Sequence, residues 1–251
     1  MTYQIQNGLL VQGPLQGSVT NDNAPAGAVG EYLSTLMDTV AATGTAFTCT
    51  GSSAVLTASA HSLKALQAVT VSNSGGGLPT GLSAATNYYV TKGSVAANTF
   101  SVSTTLALAF AGTAISPSGA GTGTQTVHGA ATLATGTAAD IAGCALNAGD
   151  YEVDVLVFPG EAASVSVTIW NVWLAQVGGS AIPSTAAAIL AQGLTGNQVA
   201  TATVDATNHT WSLPTVRVSL AAAGYLAVAA KATFSVGTLS PQALIHVRRA
   251  R

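Results

Sequence analysis

Charge is what this sequence has least of. Among 251 residues, 7 are Lys or Arg and 9 are Asp or Glu, 6% in all, against roughly 25% in ordinary globular proteins. A net charge of −2 leaves no long-range field to steer nucleic acid or an anionic membrane. Long apolar runs are missing too. The most apolar window, Leu220 to Ala230, falls well short of the ~20 residues that a spanning helix needs. No basic start followed by an apolar stretch marks a secretory signal. The two cysteines, Cys49 and Cys144, form no CxxC pair, and no His stands at metal-ligand spacing from either. They could join only if the fold brings their Cα atoms within about 7 Å, so buried free thiols are the default reading.

What is present is small and apolar. Hydrophobic residues make 48% of the chain, and mean hydropathy is +0.46. That is the reverse of a disordered composition. A free monomer is usually kept soluble by interspersed charges. Here, hydroxyls and amides must solvate the surface, as in a secreted Thr/Ser-rich domain, or copies of the chain must cover it. The composition favours a stable assembly.

Period-two alternation is the strongest local pattern, and it predicts half-buried strands. Tyr151, Val153, Val155 and Val157 point one way while Glu152 and Asp154 point the other. Val165, Val167 and Ile169 alternate with Ser164, Ser166 and Thr168, and Val216, Val218 and Leu220 repeat the pattern. The longest face is Leu226, Val228, Ala230, Ala232, Phe234 and Val236, opposite Tyr225, Ala227, Ala229, Lys231 and Thr233. Leu244 to Arg249 reads as a last strand. Turn residues separate the runs at Asn147–Asp150, Pro159-Gly160, Gly178-Gly179 and Ala223-Gly224. Regular strands with such turns predict an all-β sandwich or jelly roll. Only one helix competes in earnest, and a second stretch is ambiguous. The helix runs from Pro183 through Ala186–Leu190 to Gly193, where a loop with a single helical turn fits as well. The second stretch, Val29 to Val40, fits a helix and a turn into a strand equally well.

Residues 44–128 behave as a separate unit whose only charges are Lys64 and Lys92. Strands are expected at Ala54–Ala58, Ala68–Ser72, Asn87–Thr91 and Thr99–Ser103. Residues 1–20, with Gly8, Gly13-Pro14 and Gly17, read as an extended arm.

Two stretches resemble known proteins. The run from Thr20 through Asn21-Asp22-Asn23-Ala24-Pro25-Ala26-Gly27-Ala28-Val29-Gly30-Glu31-Tyr32 resembles the opening of a group of small tailed-bacteriophage virion proteins. So do Leu146-Asn147-Ala148-Gly149-Asp150-Tyr151-Glu152-Val153, with Tyr151 where the group has Trp, and the basic end His246-Val247-Arg248-Arg249-Ala250-Arg251. Leu78-Pro79-Thr80-Gly81-Leu82 through Tyr88-Tyr89-Val90, with Asn98–Ser103, resembles a module of phage tail and fibre proteins. The resemblance implies a β-sandwich built from residues 21–43 and 129–251, with 44–128 inserted as a β module hanging from a hairpin. It also implies a non-enzymatic virion component. The sparse charge adds the expectation of a homo-oligomer, a trimer, and the small, apolar residues 1–20 that of an arm docked on the major capsid protein or another virion protein. Head decoration is preferred over a tail-fibre or tail-tip role. A module that binds a host surface glycan is the rival from another class.

No chemical motif competes with that reading. The sequence has no G-x-S-x-G, H-E-x-x-H, Walker or G-x-G-x-x-G pattern. The Gly119–Gly123 run lacks the Lys of a phosphate loop and reads as a loop. A triad from His128 or His209 with Asp140 or Asp205 would need assembly in space; His61 and His246 stand apart from both. Glu152 and Asp154, about 7 Å apart on one strand face, have a spacing seen in glycosidase carboxylates, and equally that of any solvated face. Arg248, Arg249 and Arg251 alternate across a strand and make a poor phosphate track. Trp170, Trp173, Trp211, Tyr225 and Phe234 read as core or interface rather than a sugar platform. No cofactor, metal or catalytic residue is expected, nor a membrane or nucleic-acid partner.

Overall fold

The computed structural model describes residues 3–6, 9–12, 32–35, 44–158, 160, 165–176, 189–192, 203–204, 211–235 and 237–250. A pair of strands, β1 (Tyr3–Gln6) and β2 (Leu9–Gln12), comes first, and β3 (Tyr32–Thr35) follows. The next stretch holds β4 (Thr45–Cys49), β5 (Leu56–Thr57), β6 (Ala68–Ser74), β7 (Tyr88–Val90), β8 (Thr99–Phe100), β9 (Val102–Ser103), helix α1 (Leu106–Ala111) and β10 (Thr124–His128). Then come β11 (Ala138–Leu146), β12 (Gly149–Phe158), β13 (Val165–Ala175), β14 (Ile189–Gln192) and β15 (Thr203–Val204). The chain closes with β16 (Trp211–Ser212), β17 (Val216–Leu220), β18 (Gly224–Phe234) and β19 (Gln242–Arg249). All named pairings are antiparallel.

Two sheets form the sandwich. One runs β3-β19-β12, with β16 and β17 following each other along the free edge of β12. Pro214, which cannot donate to a ladder, falls between them on this edge, where proline is tolerated. Leu213 N–H still reaches the Val155 carbonyl at 2.9 Å. The other sheet runs β11-β18-β13, with β14 and β15 placed successively along β13. Counting each broken edge as one strand, the first sheet holds the first, eighth, third and sixth strands of the sandwich. The second holds the second, seventh, fourth and fifth. That is the order of a jelly roll.

The expected alternation builds its core. Tyr151, Val153, Val155 and Val157 of β12 are buried, as are Val218 and Leu220 of β17, while Glu152 and Asp154 are exposed. Leu226, Val228, Ala230 and Ala232 of β18 face them, and Phe234 is half-buried against the same core. Val236 lies outside the described residues. On β13 the phase slips. The pairing with β18 shifts between Val167 and Ile169, and Val167, Trp170, Val172 and Leu174 are the residues in the core. A bulge adds a residue and re-aims everything after it, so a single alternation could not place the whole strand.

Residues 45–128 form a sheet of their own, ordered β8-β5-β4-β10-β6-β7-β9. Its first and last members, β8 and β9, are one stretch of chain bent at Ser101, so the sheet closes into a small barrel and leaves no free edge. Phe47, Leu56, Val69, Val71, Tyr88, Val90, Phe100 and Val127 fill it. The four strands expected here are present, and β4 and β10 are additional. Thr45 and Val127 are register partners, so both ends of the insert lie side by side, as an insertion requires. It does not hang from a hairpin. β3 pairs with β19 and β11 with β18, so the insert occupies a crossover between the two sheets.

Other expectations change as well. Ile189–Gln192, expected as the end of a helix, is a strand against Trp173–Ala175. Tyr32–Thr35 is also strand, which resolves the ambiguity there. The first residues are not simply extended. Tyr3–Gln6 pairs antiparallel with Leu9–Gln12. Helix α1 was not anticipated because Leu-Ala-Leu-Ala-Phe-Ala alternates like a strand. Its ends decide it: the Thr105 hydroxyl accepts from Leu108 N–H, and Gly112 caps it at φ 81°.

The barrel seats on the second sheet. The outward side of β11 and β18 carries Gly143, Ala145, Ala227 and Ala229 rather than solvated residues, and Leu66, Tyr89, Leu106 and Ala109 of the barrel join the sandwich core there. A Cβ on Gly143 would lie 2.8 Å from Leu106 Cδ2 and 3.1 Å from Leu66 Cβ. Gly143 N–H donates to the Leu66 carbonyl at 3.1 Å, and Gln67 bridges to Ala142. Asn87 exchanges two bonds with the Thr132 backbone at 2.7 and 3.0 Å. Small side chains make this close approach possible.

Candidate functional site

The densest charge on the described residues lies on the outer face of the first sheet. Asp150, Glu152 and Asp154 alternate outward along β12. Register sets Glu152 between Arg217 of β17 and Arg248 of β19, and Asp154 opposite His246. Arg217 Nη2 stands 3.6 Å from Asp150 Oδ2. Ser219 donates its hydroxyl to Asp150, and Thr215 donates to Asp154. Asp150 is therefore engaged by a cross-strand pair of opposite charge, which stabilises a sheet by roughly 0.2–1 kcal/mol, and Asp154 by a neighbouring hydroxyl. Glu152 and Asp154 do not face each other across a cleft, as a glycosidase pair must.

The arginines separate as alternation predicts. Arg248 is exposed on that outer face. Arg249 turns to the end of the sandwich, where its guanidinium donates to the Tyr151 hydroxyl at 2.9 Å and the Ala148 carbonyl at 2.8 Å. Arg251 lies outside the described residues.

His128 and Asp140 do not meet as a triad. His128 Nε2 shares a 2.9 Å hydrogen bond with the Ser72 hydroxyl, and burial lowers its pKa. His209 and Asp205 lie outside the described residues. Asp140 sits in the seam between barrel and sandwich, 2% exposed. A bulge between Asp140 and Ala142 turns this one acid of β11 onto the seam face. Its Oδ2 has no hydrogen-bond partner, and burial pushes its pKa up to about 7. The Tyr89 hydroxyl donates to the Asp140 carbonyl at 3.1 Å, and the acid raises the pKa of Tyr89 and Tyr225, both already raised by burial. Sequence reading considered Asp140 only as a triad partner. The signal it carried was a lone charge inside the apolar run Ala138-Ala139-Asp140-Ile141-Ala142.

Trp170 and Trp173 are buried, and Tyr225 and Phe234 are half-buried. Trp211's side chain lies outside the description. Tyr225 packs its ring 5.0 Å from Phe110, over which Lys92 Nζ sits at 4.2 Å. No aromatic ring among the described side chains is exposed. The Gly119–Gly123 run closes one end of the barrel. Thr122 N–H bonds the Gly77 carbonyl at 2.8 Å, and Gly119 N–H bonds that of Gly51 at 2.9 Å. Gly121, at φ 73°, has no room for a Cβ beside Gly77 and Pro79.

Cys49 and Cys144 are free and buried in different cores. Burial pushes the Cys144 thiol up to about 12, which makes it an inert packing group. Among the described residues no group of three or more His, Cys, Asp or Glu could hold a metal ion, and no helix is long and apolar enough to cross a membrane. No protein-family model, curated protein or solved structure matches this chain.

Proposed function

We propose that this chain is a non-enzymatic structural component of a tailed-phage virion, a homo-oligomer that decorates or projects from the capsid. The observation that carries the reading is the jelly-roll strand order with a closed β-barrel set into its first crossover. Its joints, marked by the register partners Thr45 and Val127, fall between the virion-like and fibre-like sequence runs. Jelly rolls build viral capsid and lectin domains among others. Because a fold alone does not name a function, the motifs around Asn21–Tyr32 and Leu146–Val153 supply the direction.

Three features support a scaffolding role. Two of the outer carboxylates, Asp150 and Asp154, are engaged by the neighbouring strand β17 or the residue just before it. The described aromatic rings pack inward rather than forming a sugar platform. The sparse charge suits a surface partly covered by copies of itself. Residues 1–20 are the docking element of the proposal, reaching the major capsid protein or another virion protein.

Fractionation tests it. Full-length chain is expected in density-banded particles in many copies, whereas a variant lacking residues 1–20 stays in the soluble fraction as a folded oligomer. Absence of the full-length chain from banded particles overturns the reading. Incorporation of the shortened chain moves the docking site elsewhere.

A further inference from the structure

Asp140 occupies a place that ordinary sheet design avoids. Around Asp140 the seam face of β11 and β18 carries Gly143, Ala145, Ala227, Ala229, the ring of Tyr225 and, further along, Lys231, and the barrel closes over it with Leu66, Tyr89, Leu106 and Ala109. A carboxyl enclosed there loses its water, and a buried charge without a partner is costly. The surrounding groups offer no compensation. From β7, Tyr89 gives its hydroxyl to the Asp140 backbone carbonyl rather than to the carboxyl. From β18, Tyr225 lies within electrostatic reach, and Lys231 stands on the same face, two residues beyond Ala229, the register partner of Asp140. After β7, Lys92 is committed to the Phe110 ring. Helix α1 brings only apolar side chains. Among the described residues no cation pairs with Asp140, and its Oδ2 is without a hydrogen bond.

We propose that Asp140 is a protonation-controlled latch of this seam. Neutral, the carboxyl is tolerated, and the barrel seats on the jelly roll. Ionised, it demands water, and the seat loosens while both cores remain folded. The two cores are suited to that behaviour. The barrel has its own closed sheet and interior, and the bonds described between it and the jelly roll run through a few residues, Leu66, Gln67, Tyr89 and Asn87. Burial holds the carboxyl neutral well above the usual range, up to about 7. An Asp140 freed by opening titrates near its ordinary 3.8. Seating is therefore strongest in acid and weakens as pH rises between those two values.

Hydrogen exchange at the Gly143 amide reads the seam directly, because that N–H donates across it to Leu66. In the wild type its protection factor, corrected for intrinsic exchange, is expected to fall roughly tenfold per pH unit between about pH 5 and 7. Amides of β12 and β19 should keep theirs. Asp140→Asn is expected to hold Gly143 protection level with pH. Equal slopes in both proteins, or a flat wild type, overturn the latch. Should Asp140→Asn fail to fold, infrared titration of the wild type still decides. A protonated carboxyl band surviving at about pH 6, where exposed carboxylates are ionised, supports the proposal, and its absence overturns it.

Discussion

At the scale of single residues, Phe234 and Lys231 show what periodicity can and cannot say. Alternation assigned Phe234 to the core face of β18 and Lys231 to the other, and the register agrees. It could not tell that Phe234, near the strand end, is only half-buried, or that Ala227 and Ala229 on the opposite face are buried under a second unit. Phe234→Ala is therefore expected to cost about 2 kcal/mol, below the 3–5 kcal/mol of a fully enclosed ring. Lys231→Ala should stay within about 0.5 kcal/mol. Urea denaturation of both variants checks the pair, and a larger loss at Lys231 would redraw the register. Gly143→Ala pushes a methyl against Leu106 and should cost about 1–3 kcal/mol. Leu106→Ala in the same chain should recover part of that loss, a coupling that a double-mutant cycle measures.

Asp140 contributes a falling limb to the pH dependence of stability, against the rising one from His128, whose pKa burial lowers. Its folded-state pKa is raised from 3.8 to about 7. Its contribution is thus fully present below the unfolded value and is lost as pH rises through the folded one. Between those limits Asp140 holds a proton in the native state that it lacks in the unfolded state, and its contribution to stability falls by about 1.4 kcal/mol per pH unit. Asp140→Asn should remove that slope and leave a protein more stable than wild type at pH 8. Thermal melts across pH 4 to 8 check it. A wild-type melting temperature that rises with pH while the variant's does not would contradict the assignment.

Among elements, those with unbroken alternation were legible: β12, β17, β18 and β19 lie where their patterns put them. The elements decided by tertiary contacts were not. Helix α1 has a strand-like sequence and is helical because Thr105 and Gly112 cap it and Leu106 and Ala109 bury against the seam. The face of β13 changes at a bulge with no sequence mark. The barrel's closure depends on one bend at Ser101 and on pairings far apart in the chain. Of the candidate site, the outer carboxylate row was readable, and the burial of Asp140 was not, because only the docked barrel makes that position dry. Replacing the insert by a short Gly-Ser linker between Thr43 and Gly129 tests the division. The jelly roll is expected to keep its β-sheet circular dichroism and to gain binding of a hydrophobic dye at the uncovered Ala/Gly face. An unfolded product would show that the barrel is needed for the sandwich to form.

For the whole molecule, the scarcity of charge remains the feature the proposed assembly must explain. Five of the sixteen charged residues (Asp150, Glu152, Asp154, Arg217 and Arg248) stand on the outer face of a single sheet, leaving wide surfaces to hydroxyls and small apolar groups. Sedimentation at micromolar concentration should report an oligomer, a trimer by expectation, and a lone 24.7 kDa species would count against it. The most direct measurement is an electron-microscopy map of the intact particle. The proposal predicts repeated external density into which the jelly roll and its barrel fit, with the first residues of the chain against the underlying shell or tail. A particle map whose every external feature is accounted for by other chains would contradict it.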